Sequence, residues 1–172
     1  IAMHGHTIFH SPNENWTWQL SDGKSLANLV NIPIISNFRY RDVCLGGQGA
    51  PLVGVWHKAL LNSVKDAVFP CVFLNIGGVS NITYLNNKKD IPYSFDIGIG
   101  NGPLDSIMDK YYNIPFDKDG KISLKGSINN TVIKNILKNN WFKELPPKSL
   151  DKNHFDIFIY SLIKGLSTED KM

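Results

Sequence analysis

The chain has 172 residues, of which 42% are hydrophobic and 19% are charged, with a formal net charge of +3. This composition can fill a core and excludes wholesale disorder, and no apolar run approaches the roughly 20 residues that cross a membrane. The basic excess is spread thinly along the chain, which argues against a nucleic-acid binder, and two cysteines without a disulfide framework favour a reduced, cytoplasmic setting.

Both ends of the sequence indicate a piece of a longer protein. The first residue is Ile1, where an initiator methionine would stand. Residues 167–170, Ser-Thr-Glu-Asp, combine a hydroxyl N-cap with an acidic first turn, which is typical of a helix start, yet the chain stops at Met172. We therefore expect an internal segment that is incomplete at both ends.

The first half of the sequence predicts two strands and two helices in alternation. Bulky residues alternate over Trp16–Leu20, which predicts a strand, and Asp22 is suited to cap a helix over 24–31. The next predicted elements are a short apolar strand at 34–36, a flexible polar loop at 39–49 and a helix at 51–63 opened by proline.

The second half is richer in strands. A buried strand is expected over Cys71–Ile76, and two glycines then turn the chain into a returning strand at 82–85, which predicts a hairpin. The later predictions are a strand at 93–97, a helix opened by Pro103, a helix at 128–139, and a helix at 154–164 capped by Asn153. Strands that alternate with helices predict an α/β fold with a mixed sheet.

The clearest candidate site is the segment 96–102, Asp-Ile-Gly-Ile-Gly-Asn-Gly. Ligands of open α/β sheets bind at strand ends, and glycines let backbone amides approach a phosphate or sugar oxygen at a helix N-terminus. Asp96 would lie beside this cradle as a general base or a metal ligand. The alternative is a tight strand–helix turn in which Asp96 is a cap.

Two further segments have polar groups suited to an anionic ligand. The hairpin at 75–83 can offer several N–H and hydroxyl donors to phosphate, or it is an ordinary turn. Arg39 and Arg41 are the only arginines among 18 basic residues, and a guanidinium grips a carboxylate or phosphate with two parallel bonds. The alternative is a simple ion pair between one of them and Asp42.

Histidines are the remaining candidates for metal binding. A metal site could be formed by His4, His6, His10 and His57. No cysteine or carboxylate lies close to His4 and His6 in the sequence, so a zinc site is not expected.

Taken together, these segments resemble the anhydro-N-acetylmuramic acid kinase family, a bacterial family of the actin-like, sugar-kinase ATPase superfamily. The similarity runs in unbroken order through residues 4–7, 19–22, 38–42, 46–53, 75–83, 95–101, 117–120 and 146–149. The segment 46–53, Gly-Gly-Gln-Gly-Ala-Pro-Leu-Val, is the most specific. The departures are His6, Asn37, Ile97 and Ile99, which stand where the family usually has Gln, Asp, Thr and Pro, and Leu150-Asp151, which stands where it usually has Thr-Gly.

The resemblance implies an actin-like (ribonuclease H-like) sugar-kinase fold with mixed sheets and flanking helices. Residues 1–50 would belong to an N-terminal lobe, 51–67 to a connecting helix and hinge, and 68–172 to a C-terminal lobe. The family's first phosphate hairpin and its adenosine-contacting segment match nothing in the chain. We therefore expect the chain alone to be inactive as a kinase.

The resemblance also implies an activity, in which ATP and Mg²⁺ support hydrolytic opening and 6-phosphorylation of 1,6-anhydro-N-acetylmuramic acid during peptidoglycan recycling. Asp96 matches the family's base. The expected substrate contacts are His4, Arg39, Arg41 and Asn101, and the expected phosphate contacts are Asn75, Gly77, Gly78, Asn81, Gly98 and Gly100. The expected partners are the sugar and ATP, without nucleic acid or membrane, and with a homodimer in the full-length member. The alternatives are a non-catalytic remnant and a kinase of another sugar.

Overall fold

A computed structural model describes residues 1–150 and 152–172, with the backbone alone at 152–154. The N-terminal part begins with an antiparallel ribbon of β1 (His6–Ser11) and β2 (Trp16–Leu20). Three helices follow, α1 (Gly23–Val30), α2 (Phe38–Cys44) and α3 (Gly54–Ser63).

A three-stranded antiparallel sheet forms the middle of the chain. Its strands are β3 (Cys71–Ile76), β4 (Val79–Leu85) and β5 (Tyr93–Ile99), hydrogen-bonded in that order. The remaining helices are α4 (Gly102–Tyr112), α5 (Asn130–Leu137) and α6 (Lys152–Leu162), joined by short 3-10 turns. None of the helices in the described part of the chain is long and apolar enough to cross a membrane.

The expected α/β class is confirmed, but the strands pair differently from the prediction of mixed sheets. Both sheets are antiparallel. The only parallel pairing within the described ranges is an isolated bridge between Ala2 and Ile35. The short strand expected at 34–36 is therefore reduced to this bridge, in which Ile35 pairs and its neighbours do not extend the pairing.

Local capping signals agree with the structure. The side chain of Asp22 accepts a hydrogen bond from the Ser25 amide at 2.9 Å and begins α1, as predicted. The expected helix start near the C-terminus is a 3-10 turn over Glu169–Lys171, where the Ser167 hydroxyl accepts from the Asp170 amide. The cap predicted for Asn153 lies outside the described side chains.

The loop predicted at 39–49 is wrong in its first half, where the chain forms α2. The prediction relied on polar composition, but Val43 is fully buried and anchors a helix whose other faces meet solvent. Asn37 precedes the helix with φ 56°, a left-handed conformation that asparagine adopts more readily than most residues.

Other boundaries differ by a few residues. Strand β1 was not predicted, and β5 continues two residues beyond the predicted end at 97. Helix α3 begins at Gly54 rather than at Pro51. A methyl group at Gly54 would lie 2.5 Å from the Ser94 hydroxyl oxygen, so the helix starts where its backbone packs directly on the sheet.

The main apolar core joins the C-terminal helices to the sheet. Its buried members are Ile107, Leu150, Phe155, Ile159 and Ile163. Burial of Leu150 among them fixes the chain just before α6, and this places residues 148–150 beside β5. The position of that segment decides the geometry of the site described below.

The ribbon of β1 and β2 has its polar side turned inward. Thr17 and Gln19 are buried, and their side chains hydrogen-bond to each other at 2.8 Å. On the opposite side, Trp16, Trp18 and Leu20 are 48%, 47% and 60% exposed. This distribution reverses the usual burial of apolar side chains.

Candidate functional site

Asp96 lies where β5 departs from regular pairing. It pairs with Asn81, whereas the next pair along β4 joins Ser80 to Gly98, so Ile97 is an extra residue in β5. Such a bulge bends the strand and increases its twist. The chain therefore turns towards the N-terminus of α4 directly after the candidate base.

Asp96 is 7% exposed, and its carboxylate is held from outside its own sheet. Its Oδ2 atom accepts a hydrogen bond from the Leu150 amide at 2.9 Å, and its own amide donates to the Lys148 carbonyl at 2.9 Å. Burial raises the pKa of Asp96, while the Leu150 N–H and the charge of Arg39 oppose that rise. The N-cap residue of α4 is Asn101, with no side-chain cap hydrogen bond, so Asp96 is not a cap of α4.

Arg39 is oriented by two acceptors. Its Nε atom donates to His4 Nε2 at 2.6 Å, and its Nη1 atom donates to the Gly49 carbonyl at 2.5 Å. The Nδ1–H of His4 donates to the Gly5 carbonyl at 2.6 Å, so Nε2 carries the lone pair that receives Arg39. Burial lowers the pKa of Arg39, and the nearby Asp96 carboxylate opposes that effect.

Arg41 points away from this group. Residues two apart on a helix are rotated by about 200°, so the two arginines of α2 lie on opposite sides. Arg41 is exposed and lines a shallow surface pocket with Phe38 and Leu45. The structure thus places Arg39, with His4 bonded to it, where its charge acts on Asp96, and leaves Arg41 outside.

The loop after α2 supports Arg39. The Asp42 carboxylate accepts from the Gly49 amide at 2.7 Å, rather than pairing with an arginine as the alternative interpretation held. A methyl group at Gly47 would overlap that carboxylate, and Gly49 has φ +65°. These glycines allow the loop to fold back on α2, which places the Gly49 carbonyl against Arg39.

The two glycine-rich segments bind each other. The Gly100 amide donates to the Gly78 carbonyl at 3.1 Å, and the Asn101 amide donates to the Gly77 carbonyl at 2.7 Å. The Gly100 amide, expected to face a phosphate, is therefore engaged within the protein. Gly98 is buried, and a methyl group added there would face the ring of Phe142.

The outer part of the hairpin is open. Gly78 is exposed, and a methyl group added there would meet no atom within 4 Å. Asn75 and Asn81 form a cross-strand pair behind the turn, and the Asn101 side chain donates to the Ile76 carbonyl at 3.4 Å. The hairpin tip is thus the accessible end of this polar group.

Sequence reasoning missed the segment that holds Asp96. Lys148 and Leu150 contact Asp96 directly, and Trp141 supports that segment through hydrogen bonds. The resemblance to the family includes residues 146–149 and so marks this segment, but it does not indicate a role for it. Among the described residues no group of three His, Cys, Asp or Glu side chains is placed to hold a metal ion.

We expect Arg39→Met to raise the pKa of Asp96 further, because the cation that favours the ionised carboxylate is removed. Arg41→Met is the matched control, since it removes an equal charge from the opposite side of α2. The pKa is measured by ¹³C NMR titration of the Asp96 carboxyl carbon. An equal shift in both variants would contradict the specific placement of Arg39.

Proteins of the α/β class hold their ligands where strands end and helices begin, and Asp96 lies at such a point. Comparison with known proteins agrees with the α/β class and identifies a family within it. The family model described as anhydro-N-acetylmuramic acid kinase matches residues 1–169. That family belongs to the sugar-kinase, actin-like ATPase superfamily.

Individual relatives support the same assignment. Anhydro-N-acetylmuramic acid kinases of Paramagnetospirillum magneticum and Rhizorhabdus wittichii are 40% and 39% identical over 98% and 99% of this chain. The Zymomonas mobilis kinase is 36% identical over 99% of it. The chain belongs to the anhydro-N-acetylmuramic acid kinase family. It spans 45–46% of the length of these relatives.

Proposed function

We propose that the protein carrying this chain opens 1,6-anhydro-N-acetylmuramic acid with water and phosphorylates its 6-oxygen from ATP. The observation that supports this proposal most strongly is the buried Asp96 carboxylate, with Arg39 close enough to act on its charge. A carboxylate with a raised pKa is a better proton acceptor than an exposed one, and such perturbed groups concentrate at active sites.

Asp96 is the proposed general base. It takes one proton from the water that attacks the anomeric carbon, and the bond from that carbon to the bridging 6-oxygen breaks. The freed 6-oxygen then takes the terminal phosphoryl group of ATP, with ADP as the leaving group. The sum is one sugar, one water and one ATP converted to the 6-phosphosugar, ADP and a proton, and positioning supplies most of the acceleration.

ATP is assigned to the open end of the hairpin. The support is the exposed Gly78, whose surroundings leave room for a phosphate against the backbone. Asn75, Gly77 and Asn81 are proposed phosphate neighbours in the same hairpin. Mg²⁺ remains an expectation from the family, and in kinases it is usually bound by one or two carboxylates together with substrate phosphates.

The sugar is assigned to the side of Asp96 that carries Arg39 and His4. Of the two arginines, Arg39 is the proposed partner of the lactyl carboxylate, because its guanidinium is fixed near the base by two hydrogen bonds. Arg41 is assigned no substrate contact, although the resemblance included it. Asn101 remains a proposed contact at the start of α4.

The lobe division is proposed as 1–50, 51–67 and 68–172. Its support is that the β1–β2 ribbon and the β3–β4–β5 sheet are separate sheets. The cleft between them would close on substrate, as in other bilobal enzymes. We also propose a cytoplasmic protein, a homodimer in full length, and no nucleic-acid or membrane partner.

The test is a coupled ADP-release assay with ATP on the natural polypeptide that contains these residues. Release should require 1,6-anhydro-N-acetylmuramic acid, and 1,6-anhydro-N-acetylglucosamine, which lacks the lactyl carboxylate, should be a poor substrate. ADP release with another sugar instead would favour a kinase of different specificity. Binding of the anhydro sugar without ADP release would favour a non-catalytic remnant, for which the substituted Ile97 is the supporting departure.

A further inference from the structure

We infer that Lys148 is a positioning residue for Asp96, acting through the segment 148–150. This inference rests on the proposed function only for the role of Asp96 as the base. The segment lies against the end of β5, with the Lys148 carbonyl bound to the Asp96 amide and the Leu150 amide bound to Asp96 Oδ2. Residues 148–150 therefore bind both the backbone and the carboxylate of Asp96, and we call them the aspartate clamp.

Lys148 fixes one side of the aspartate clamp. Its ammonium donates to the Trp141 carbonyl at 2.8 Å and lies 3.9 Å from the centre of the Trp141 ring. A cation over an indole face is attracted by the ring as well as by the carbonyl dipole. The Lys148 side chain thus ties the clamp to the turn at residues 140–143.

Three other contacts hold the rest of the clamp. The Trp141 indole N–H donates to the Ser149 carbonyl at 3.2 Å, and the Ser149 hydroxyl donates to Gln48 Oε1 at 3.2 Å. Leu150 is buried in the core. Each residue of the clamp is therefore anchored, and Lys148 is anchored by a partly exposed side chain.

The consequence for chemistry is that the two oxygens of Asp96 differ. The Leu150 N–H occupies Oδ2 and stabilises the ionised carboxylate, so Oδ1 is the oxygen assigned to accept the proton. Loss of the clamp would free the carboxylate to rotate and would remove a hydrogen bond that favours its charged form. A base that must be both ionised and oriented depends on this contact.

The test compares Lys148→Met with Lys148→Arg and with Lys143→Met. Lys143 is a matched control, because it is an exposed lysine on the turn that Lys148 contacts, and it donates to Asn140 Oδ1 at 3.3 Å. Amide hydrogen exchange is followed for the peptide 146–150. Its two prolines have no amide, so the signal reports residues 148–150 alone.

We expect Lys148→Met to speed exchange in this peptide by about tenfold or more and to raise the pKa of Asp96 by NMR titration. Lys148→Arg should restore both values, and Lys143→Met should match the parent chain. A merely structural role would leave the pKa of Asp96 unchanged, and that result would overturn the inference. Trp141→Phe, which removes the indole N–H to the Ser149 carbonyl and reduces the ring surface under Lys148, tests the clamp independently if Lys148→Met loses its fold.

Neither readout involves turnover, so this inference and the proposed function can fail separately. Unchanged exchange and an unchanged Asp96 pKa in Lys148→Met and Trp141→Phe refute the clamp even if the kinase is active. The expected shifts in a protein without sugar-dependent ADP release would support the clamp and refute the kinase.

Discussion

Asp96→Asn is expected to lower turnover of the anhydro sugar by about 10²–10⁴-fold, the usual cost of losing a general base. Asparagine keeps the shape of the side chain and an oxygen that accepts from the Leu150 amide, so the clamp at residues 148–150 should remain. ATP affinity should change little, because the carboxylate is assigned to the sugar side. The measurements are steady-state ADP release and calorimetric titration with ATP.

The free energy of unfolding of Asp96→Asn provides a control that does not depend on turnover. Because burial raises the folded-state pKa of Asp96, ionisation favours the unfolded chain, and stability falls as the pH rises through that folded pKa. Asparagine does not ionise, so Asp96→Asn should be more stable than the parent chain at neutral pH. The difference should vanish at a pH below the ordinary pKa of aspartate. Near-normal turnover in this variant would show that Asp96 is not the base.

Gly100→Ala is expected to destabilise the chain by about 1–3 kcal/mol or more. The added methyl group would overlap the Gly77 carbonyl oxygen, which is backbone and has no rotamer by which to escape. The hairpin would have to separate from the first turn of α4 and lose the hydrogen bonds between them.

Gly78→Ala is the matched control on the opposite side of the same contact. A methyl group there meets open space, so its effect should lie within about 1 kcal/mol of the parent and favour the folded state. Urea unfolding midpoints compare the two variants. Equal midpoints for Gly100→Ala and the parent chain would contradict the close approach of hairpin and helix.

The parts of the fold that could be predicted from sequence depend on local signals. The strand at Trp16–Leu20 follows from alternation, the hairpin after Cys71–Ile76 from its paired glycines, and the start of α1 from Asp22. Helix α2 could not be predicted in this way, because its one buried anchor, Val43, acquires that role only from tertiary packing.

The site was predictable as a set of residues but not as an arrangement. Asp96 was recognised from the pattern around it, yet its hydrogen-bond partner Leu150 lies 54 residues further along the chain. Arg39 and Arg41 were both candidates to bind an anionic group, and it is the helical conformation that turns them to opposite sides. Gly77 and Gly100 were each expected to face a ligand, whereas much of their role is to let two backbone segments meet.

The reversed ribbon of β1 and β2 has an optical consequence. Trp16 and Trp18, separated in sequence by the buried Thr17, share the outer surface of the ribbon, and each is close to half exposed. Indole emission shifts to shorter wavelength when water is removed from the ring. If another segment of the protein or a second molecule covers that surface, the intrinsic tryptophan fluorescence should shift to shorter wavelength. Binding at the ribbon can therefore be followed without a label.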